Sequence, residues 1–215
     1  MKETSIQGVL SVAEEIGSGL HSLFSTSVDY IPYIGRFVQA VKFNRLERRM
    51  KENRVQLQRI NQLAQASILA EEYITQRIFP IVLADIIEEH EEAKINLLLT
   101  GFENVFIEEK EDESIVINYF DTLRNIRYKD IKRFLYLAGK VENYPFSIPG
   151  SEEEAFVLSI DNKLERQGLI AIGLTVELQG AVRISPRYPN EIDITPYGIK
   201  FLEFITFHEE IVAES

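Results

Sequence analysis

Three histidines, His21, His90 and His208, and 34 carboxylates are the residues of this chain best suited to proton transfer or metal binding. Their spacing points away from both. The run Glu88-Glu89-His90-Glu91-Glu92 sets one imidazole among four carboxylates. A zinc-binding helix needs a second histidine one turn on, and none follows. A lone histidine in such a run reads as part of a solvated helix face. There is no cysteine, hence no disulfide, thiolate nucleophile or Cys-based zinc site. Gly17-Ser18-Gly19 lacks the Lys-Ser/Thr pair that completes a phosphate loop, and neither a Gly-x-Ser-x-Gly elbow nor a dinucleotide fingerprint occurs. With so many carboxylates some pair always lies near another, so proximity carries no acid–base argument. The sequence therefore predicts a non-enzymatic protein with no catalytic residue, metal ligand or cofactor. A site assembled from distant residues would leave no local motif.

Charge is the more informative chemistry. The net charge is -11, but it is segregated along the chain. Residues 36–59 carry eight basic and two acidic side chains, whereas residues 71–121 carry fourteen acidic and three basic ones. Lys42, Arg45, Arg48, Arg49, Lys51, Arg54 and Arg59 form a candidate surface for an anionic partner. A basic amphipathic helix of this kind can lie on an anionic membrane or follow a nucleic-acid backbone. In the alternative reading, the acidic helices at 85–113 neutralise it within the fold. No run of about 18 or more apolar residues is present, so no membrane-spanning helix is expected. The first residues lack the apolar core of a secretory signal, and the expectation is a soluble cytoplasmic protein.

The elements that carry these charges read as helices. Ile6, Val9, Leu10, Ala13, Ile16 and Leu20 recur at helical spacing, with Gly17 and Gly19 weakening the segment. Between Arg36 and Phe79 there is neither glycine nor proline, which predicts one long basic helix over about 36–79. Leu46, Met50, Asn53, Leu57 and Ile60 follow the alternating four-three spacing of a coiled coil. They form a candidate self-association seam, with Asn53 as a polar register-setter. The alternative is a long helix packed within its own domain. Pro80 marks a kink or a new start. Helices follow over 81–92 and 93–107, then a charged loop at 108–113. Two more helices follow, the second ended by Gly139.

The pattern changes after Gly139, so a domain boundary is expected there: a helical domain over 1–139 and an α+β unit over 140–215. Ser151-Glu152-Glu153-Glu154 is a capping-box signature for a helix over 152–167. Strand-like segments follow, with Gln179-Gly180 as a turn, and Thr195-Pro196 starts a last helix. The helices at 128–138 and 152–167, a β-ribbon and this last helix look like a winged-helix unit, with a generic α+β subdomain as the alternative. Such units often read DNA with their second helix. Here that helix carries Glu152, Glu153, Glu154, Asp161 and Glu165 against Lys163 and Arg166. Repulsion from phosphates disfavours DNA reading.

The segment Ile31-Pro32-Tyr33-Ile34-Gly35 before a basic helix, the helix from Asn118 to Ala138, and Gly168-Leu169-Ile170 followed by Ile194-Thr195-Pro196-Tyr197-Gly198-Ile199-Lys200-Phe201 resemble the Abi-alpha-like proteins of bacteria and their phages. The resemblance implies a cytoplasmic protein of a mobile-element or phage-defence setting, with no defined activity and no functional residues to carry over. The fold expected is mainly α, with long N-terminal helices and a winged-helix-like C-terminal unit. The function expected is a non-enzymatic, self-associating protein-interaction protein. A peripheral membrane protein using the N-terminal apolar and basic segment, and a DNA-binding regulator, stand as alternatives.

Overall fold

The computed structural model describes residues 3–27, 36–145, 148–173 and 192–206. The protein is mainly helical, as the sequence predicts. The described helices are α1 (Glu3–Ile16), α2 (Ser18–Ser27), α3 (Arg36–Glu52), α4 (Arg54–Ala66), α5 (Phe79–Glu88), α6 (Glu92–Ile107), α7 (Glu113–Asn125), α8 (Tyr128–Leu137), α9 (Glu152–Arg166) and α10 (Pro196–Ile205), with a π-helical segment over Tyr73–Ile78. Two short strands, β1 (Ile170–Ile172) and β2 (Ile192–Ile194), pair antiparallel with Ile170 opposite Ile194. The chain divides into two compact units, Met1–Arg124 with Phe204–Ser215, and Asn125–Glu203. Helix α8, drawn with the first domain from sequence, falls in the second unit.

The 44-residue helix expected over 36–79 is broken, and the breaks have local causes. At Asn53 the backbone leaves helical geometry (φ -104°, ψ 24°), and the side-chain Nδ2 donates at 2.8 Å to the Arg49 carbonyl that also accepts the Asn53 amide at 2.9 Å. At Ser67 the backbone is extended, and the serine hydroxyl accepts the Leu69 amide at 3.0 Å, which turns the chain. The π-helical segment then leads into α5, with Pro80 in its first turn. The absence of glycine and proline was a poor guide, because Asn and Ser can end a helix through their own side chains.

In the first unit, α1 and α2 run alongside α3 and α4 in the same direction. The contacts advance from Gly8 against Glu47, through Glu15 with Arg54, to Gly19 against Gln65. Gly17 makes this approach close: a Cβ there would sit 2.4 Å from the Asn61 side chain. Below lies an aromatic chain through α2, α5 and α6. Phe24 meets Phe79 edge-on with ring centres 5.0 Å apart, Phe79 meets Phe102 at 5.3 Å, and Phe102 meets Phe106 at 5.0 Å. These rings bring much of the apolar area that drives folding of this unit.

In the second unit, α8 and α9 end in the same way. Gly139 and Gly168 take φ of 69° and 72°, and the amides of Lys140 and Leu169 return to the carbonyls of Leu135 and Leu164. Ser151 caps α9 by accepting the Glu154 amide at 3.2 Å. The Glu154 carboxylate reaches the Gly150 amide, one residue before the cap that the capping-box reading expects. Thr195 caps α10 through the Gly198 amide at 2.8 Å. The Ile31–Gly35 motif, the Gln179-Gly180 turn and the strands expected over 174–191 lie outside the described residues.

Candidate functional site

The basic segment is the site that the sequence singles out, and the seven candidate cations Lys42 to Arg59 all have partners within the first unit. Lys42 pairs with Glu88. Arg45 donates to the Ile87 carbonyl at 3.3 Å. Arg48 reaches Glu92 at 3.2 Å and Glu52 at 3.5 Å. Lys51 pairs with Glu47 at 2.7 Å, Arg54 with Glu15 at 3.6 Å, and Arg59 with Glu103 at 2.9 Å. Arg49 is only 2% exposed and bonds the carbonyls of Ile86 and Glu89 together with the Glu92 carboxylate. Its Nε is a buried nitrogen without a hydrogen-bond partner. Surface pairs of this kind contribute little stability each, about 0–1 kcal/mol. Each pair offsets part of the positive charge that an anionic partner would meet.

The candidate seam is placed inside the same unit. Leu46, Met50, Leu57 and Ile60 are buried, and Asn53 bonds the backbone of its own helix. Leu46, Met50, Leu57 and Ile60 line one small apolar cleft with Phe24, Phe79 and Phe102. The four-three spacing therefore marks a core stripe, and these side chains are not presented to a second copy.

Buried ionic groups beyond Arg49 leave no local pattern in the sequence, and two pairs illustrate it. Lys94, 2% exposed, pairs with Glu89 at 2.6 Å. Burial opposes ionisation of Glu89, but the Lys94 ammonium and the amides of Glu91 and His90 outweigh it and hold the carboxyl below its ordinary range. In the second unit Arg133 and Asp161 form a buried two-pronged pair at 2.8 and 2.9 Å. The rings of Tyr136 and Tyr144 lie 5.6 and 5.1 Å from that guanidinium. Only the i,i+4 and capping positions of charges are visible in a sequence; these pairs span 5 and 28 residues and leave no local signature.

A half-open cavity of about 230 Å³ opens in the first unit. Leu23, Leu69, Ile74 and Phe106 give it apolar walls, with Gln65 and Glu71 at its edge. No histidine or cation lines it. Thr75 there donates to the Glu71 carbonyl at 2.8 Å, and Ser67 is held by the Leu69 amide. Among the described residues no group of His, Asp and Glu is arranged to hold a metal ion, and no helix is long and apolar enough to cross a membrane.

The cations without a carboxylate partner lie mainly elsewhere. Apart from Arg45, those among the described side chains are Arg127, Lys129, Lys132, Lys140 and Arg166, all in the second unit. Lys129 sits over the ring of Phe156 at 5.3 Å, and Lys132 over that of Tyr128 at 5.1 Å. Phe156 is 49% exposed. Helix α8 thus presents lysines over aromatic rings beside the start of α9.

Comparison with protein-family models, with curated proteins and with solved structures finds no match to this chain.

Proposed function

We propose that this chain is a non-enzymatic, self-associating protein-interaction protein whose contact surface is the outer side of α8 with Phe156 of α9. The observation that carries this reading is the partition of its cations. Those of α3 and α4 are engaged inside the first unit, whereas Lys129 and Lys132 face outward with only aromatic rings as partners. Lysine and an exposed aromatic side by side suit a partner that brings a carboxylate and an apolar side chain together. The test of self-association is light scattering at micromolar concentration, where a monomeric mass would remove that part of the reading.

The order of α8, α9, β1, β2 and α10, with β1 paired to β2, supports a winged-helix-like arrangement of the second unit. The three glutamates in the first turn of α9 speak against its use on DNA, because they would face phosphates. A gel shift at low salt that shows clear retardation would overturn this. The membrane alternative loses its main support, since lipid binding would have to draw Lys42, Arg48 and Arg59 away from Glu88, Glu92 and Glu103. Flotation with anionic vesicles tests it. On the resemblance of its sequence, the setting we propose is the cytoplasm of a bacterium, in a mobile-element or phage-defence system.

A further inference from the structure

We infer that the Lys129–Lys132–Phe156 surface binds the acidic turn Ile107–Ile115 of a second copy of this chain. The inference rests on the self-associating reading above and names the two surfaces it would use. On one side stand two lysines without a carboxylate partner among the described residues, and a half-exposed phenylalanine. On the other side the turn between α6 and α7 carries the complement. Ile107 and Ile115 are 48% and 47% exposed at its two ends, and Glu109, Glu111 and Asp112 are exposed between them.

The turn itself supplies an independent argument. The amides of Glu109 and Lys110 return to the carbonyls of Phe106 and Val105, so Glu109 occupies the residue just past the helix end. Its φ is 48°, in the left-handed region where glycine is the ordinary occupant. It is the sole non-glycine residue with positive φ among the described ones. The turn would form more easily with glycine, so its geometry does not account for the carboxylate. Neighbouring acids are held: Glu108 pairs with Lys110, Glu113 with Arg77, and Asp112 accepts the Ile115 amide. Glu109 and Glu111 have no such partner among the described residues. They are available to lysines, with the isoleucines beside them available to Phe156.

A nucleic acid fits this surface less well than the acidic turn. Glu152 and Glu153 lie within one helical turn of Phe156 on α9, and both are exposed. A continuous row of phosphates would run against them, whereas a short turn places its charges at two points only. Attraction between patches of opposite sign raises association at low salt and is screened as salt rises.

The test is a charge swap on the full chain, followed by sedimentation velocity over a range of concentrations at low salt. The Lys129→Glu/Lys132→Glu and Glu109→Lys/Glu111→Lys variants should each weaken self-association at least about tenfold, since like charges then face each other. An equimolar mixture of the two should recover it. All four positions are exposed, and circular dichroism checks that the helices persist. Recovery in the mixture establishes the contact. Wild-type association unchanged by both reversals overturns this inference and leaves the self-associating reading intact. A monomeric wild type overturns both. Association lost with the lysine reversal alone, accompanied by loss of binding to a single-stranded oligonucleotide, assigns the surface to nucleic acid and overturns the inference.

Discussion

Arg49 Nη2 donates to the Glu89 carbonyl at 2.7 Å, at the point where α5 ends. Its Nη1 bonds the Ile86 carbonyl, so one buried guanidinium serves carbonyls that the helix leaves unpaired at its C-terminus. The partial negative charge of that end favours the cation as well. A residue that reads as part of a basic surface is thus the cap of a neighbouring helix.

Arg49→Met should therefore destabilise the first unit strongly. It leaves buried carbonyls without donors, each worth about 1–3 kcal/mol, and the expected loss is about 3 kcal/mol. Arg49→Lys should recover only part, because an ammonium lacks the fork that reaches the Ile86 and Glu89 carbonyls together. Urea unfolding measures both. A shift below about 1 kcal/mol for Arg49→Met would contradict the capping role.

How much of this was legible follows from the kind of signal each feature leaves. Helix ends with a fixed chemistry were readable: Gly139 and Gly168 past their helices, Ser151 and Thr195 before theirs. The Leu46, Met50, Leu57 and Ile60 stripe was readable as apolar, but spacing does not say whose surface covers it; α2, α5 and α6 of the same unit do. The basic cluster is readable as charge, but its partners lie 37–46 residues away along most of its length, and no local pattern encodes that distance. Nothing in the sequence marks the break at Asn53, because an asparagine in a four-three register resembles a coiled-coil specifier. Its side chain bonds Arg49 of its own helix instead.

The contact between Gly17 and Asn61 yields a coupling prediction. Asn61 Oδ1 accepts the Leu20 amide at 3.0 Å, one of the first amides of α2 and so without a helical acceptor of its own. An alanine at 17 would place its Cβ 2.4 Å from that amide group. Gly17→Ala should cost about 1–3 kcal/mol by overpacking. In the Asn61→Ala background the space is vacated, and the same substitution should cost clearly less. A double-mutant cycle by urea unfolding reads the coupling. Additive losses would show that the two residues do not share the space.

In the second unit, Arg133 and Asp161 provide a test of burial. The side chains are 6% and 0% exposed, so removing one partner strands a charge. Asp161→Asn or Arg133→Met should each cost about 3–5 kcal/mol, while the paired change Arg133→Met with Asp161→Leu should cost much less than their sum. The losses should be nearly independent of salt, since a buried pair is screened far less than an exposed one. Thermal unfolding at low and high salt measures both points.

Tyr73 makes the alkaline limb of stability testable. Its hydroxyl donates to the Lys110 carbonyl at 2.9 Å. Burial pushes its pKa up to about 12, and the charges of Glu113, Asp112 and Glu111 add to the shift. The phenolate would be partly buried, near three carboxylates and unable to donate to Lys110. The folded pKa thus lies above the unfolded value of 10. The stabilisation is fully present below pH 10 and is lost as pH rises towards 12, because the folded state holds the proton that the unfolded state releases. Wild-type stability should fall across this window more steeply than that of Tyr73→Phe. The variant is the less stable protein at neutral pH, by the lost hydrogen bond, and the gap should narrow as the tyrosine ionises. Urea midpoints taken at intervals across the window decide it. Parallel curves for the two proteins would mean that Tyr73 titrates alike in both states.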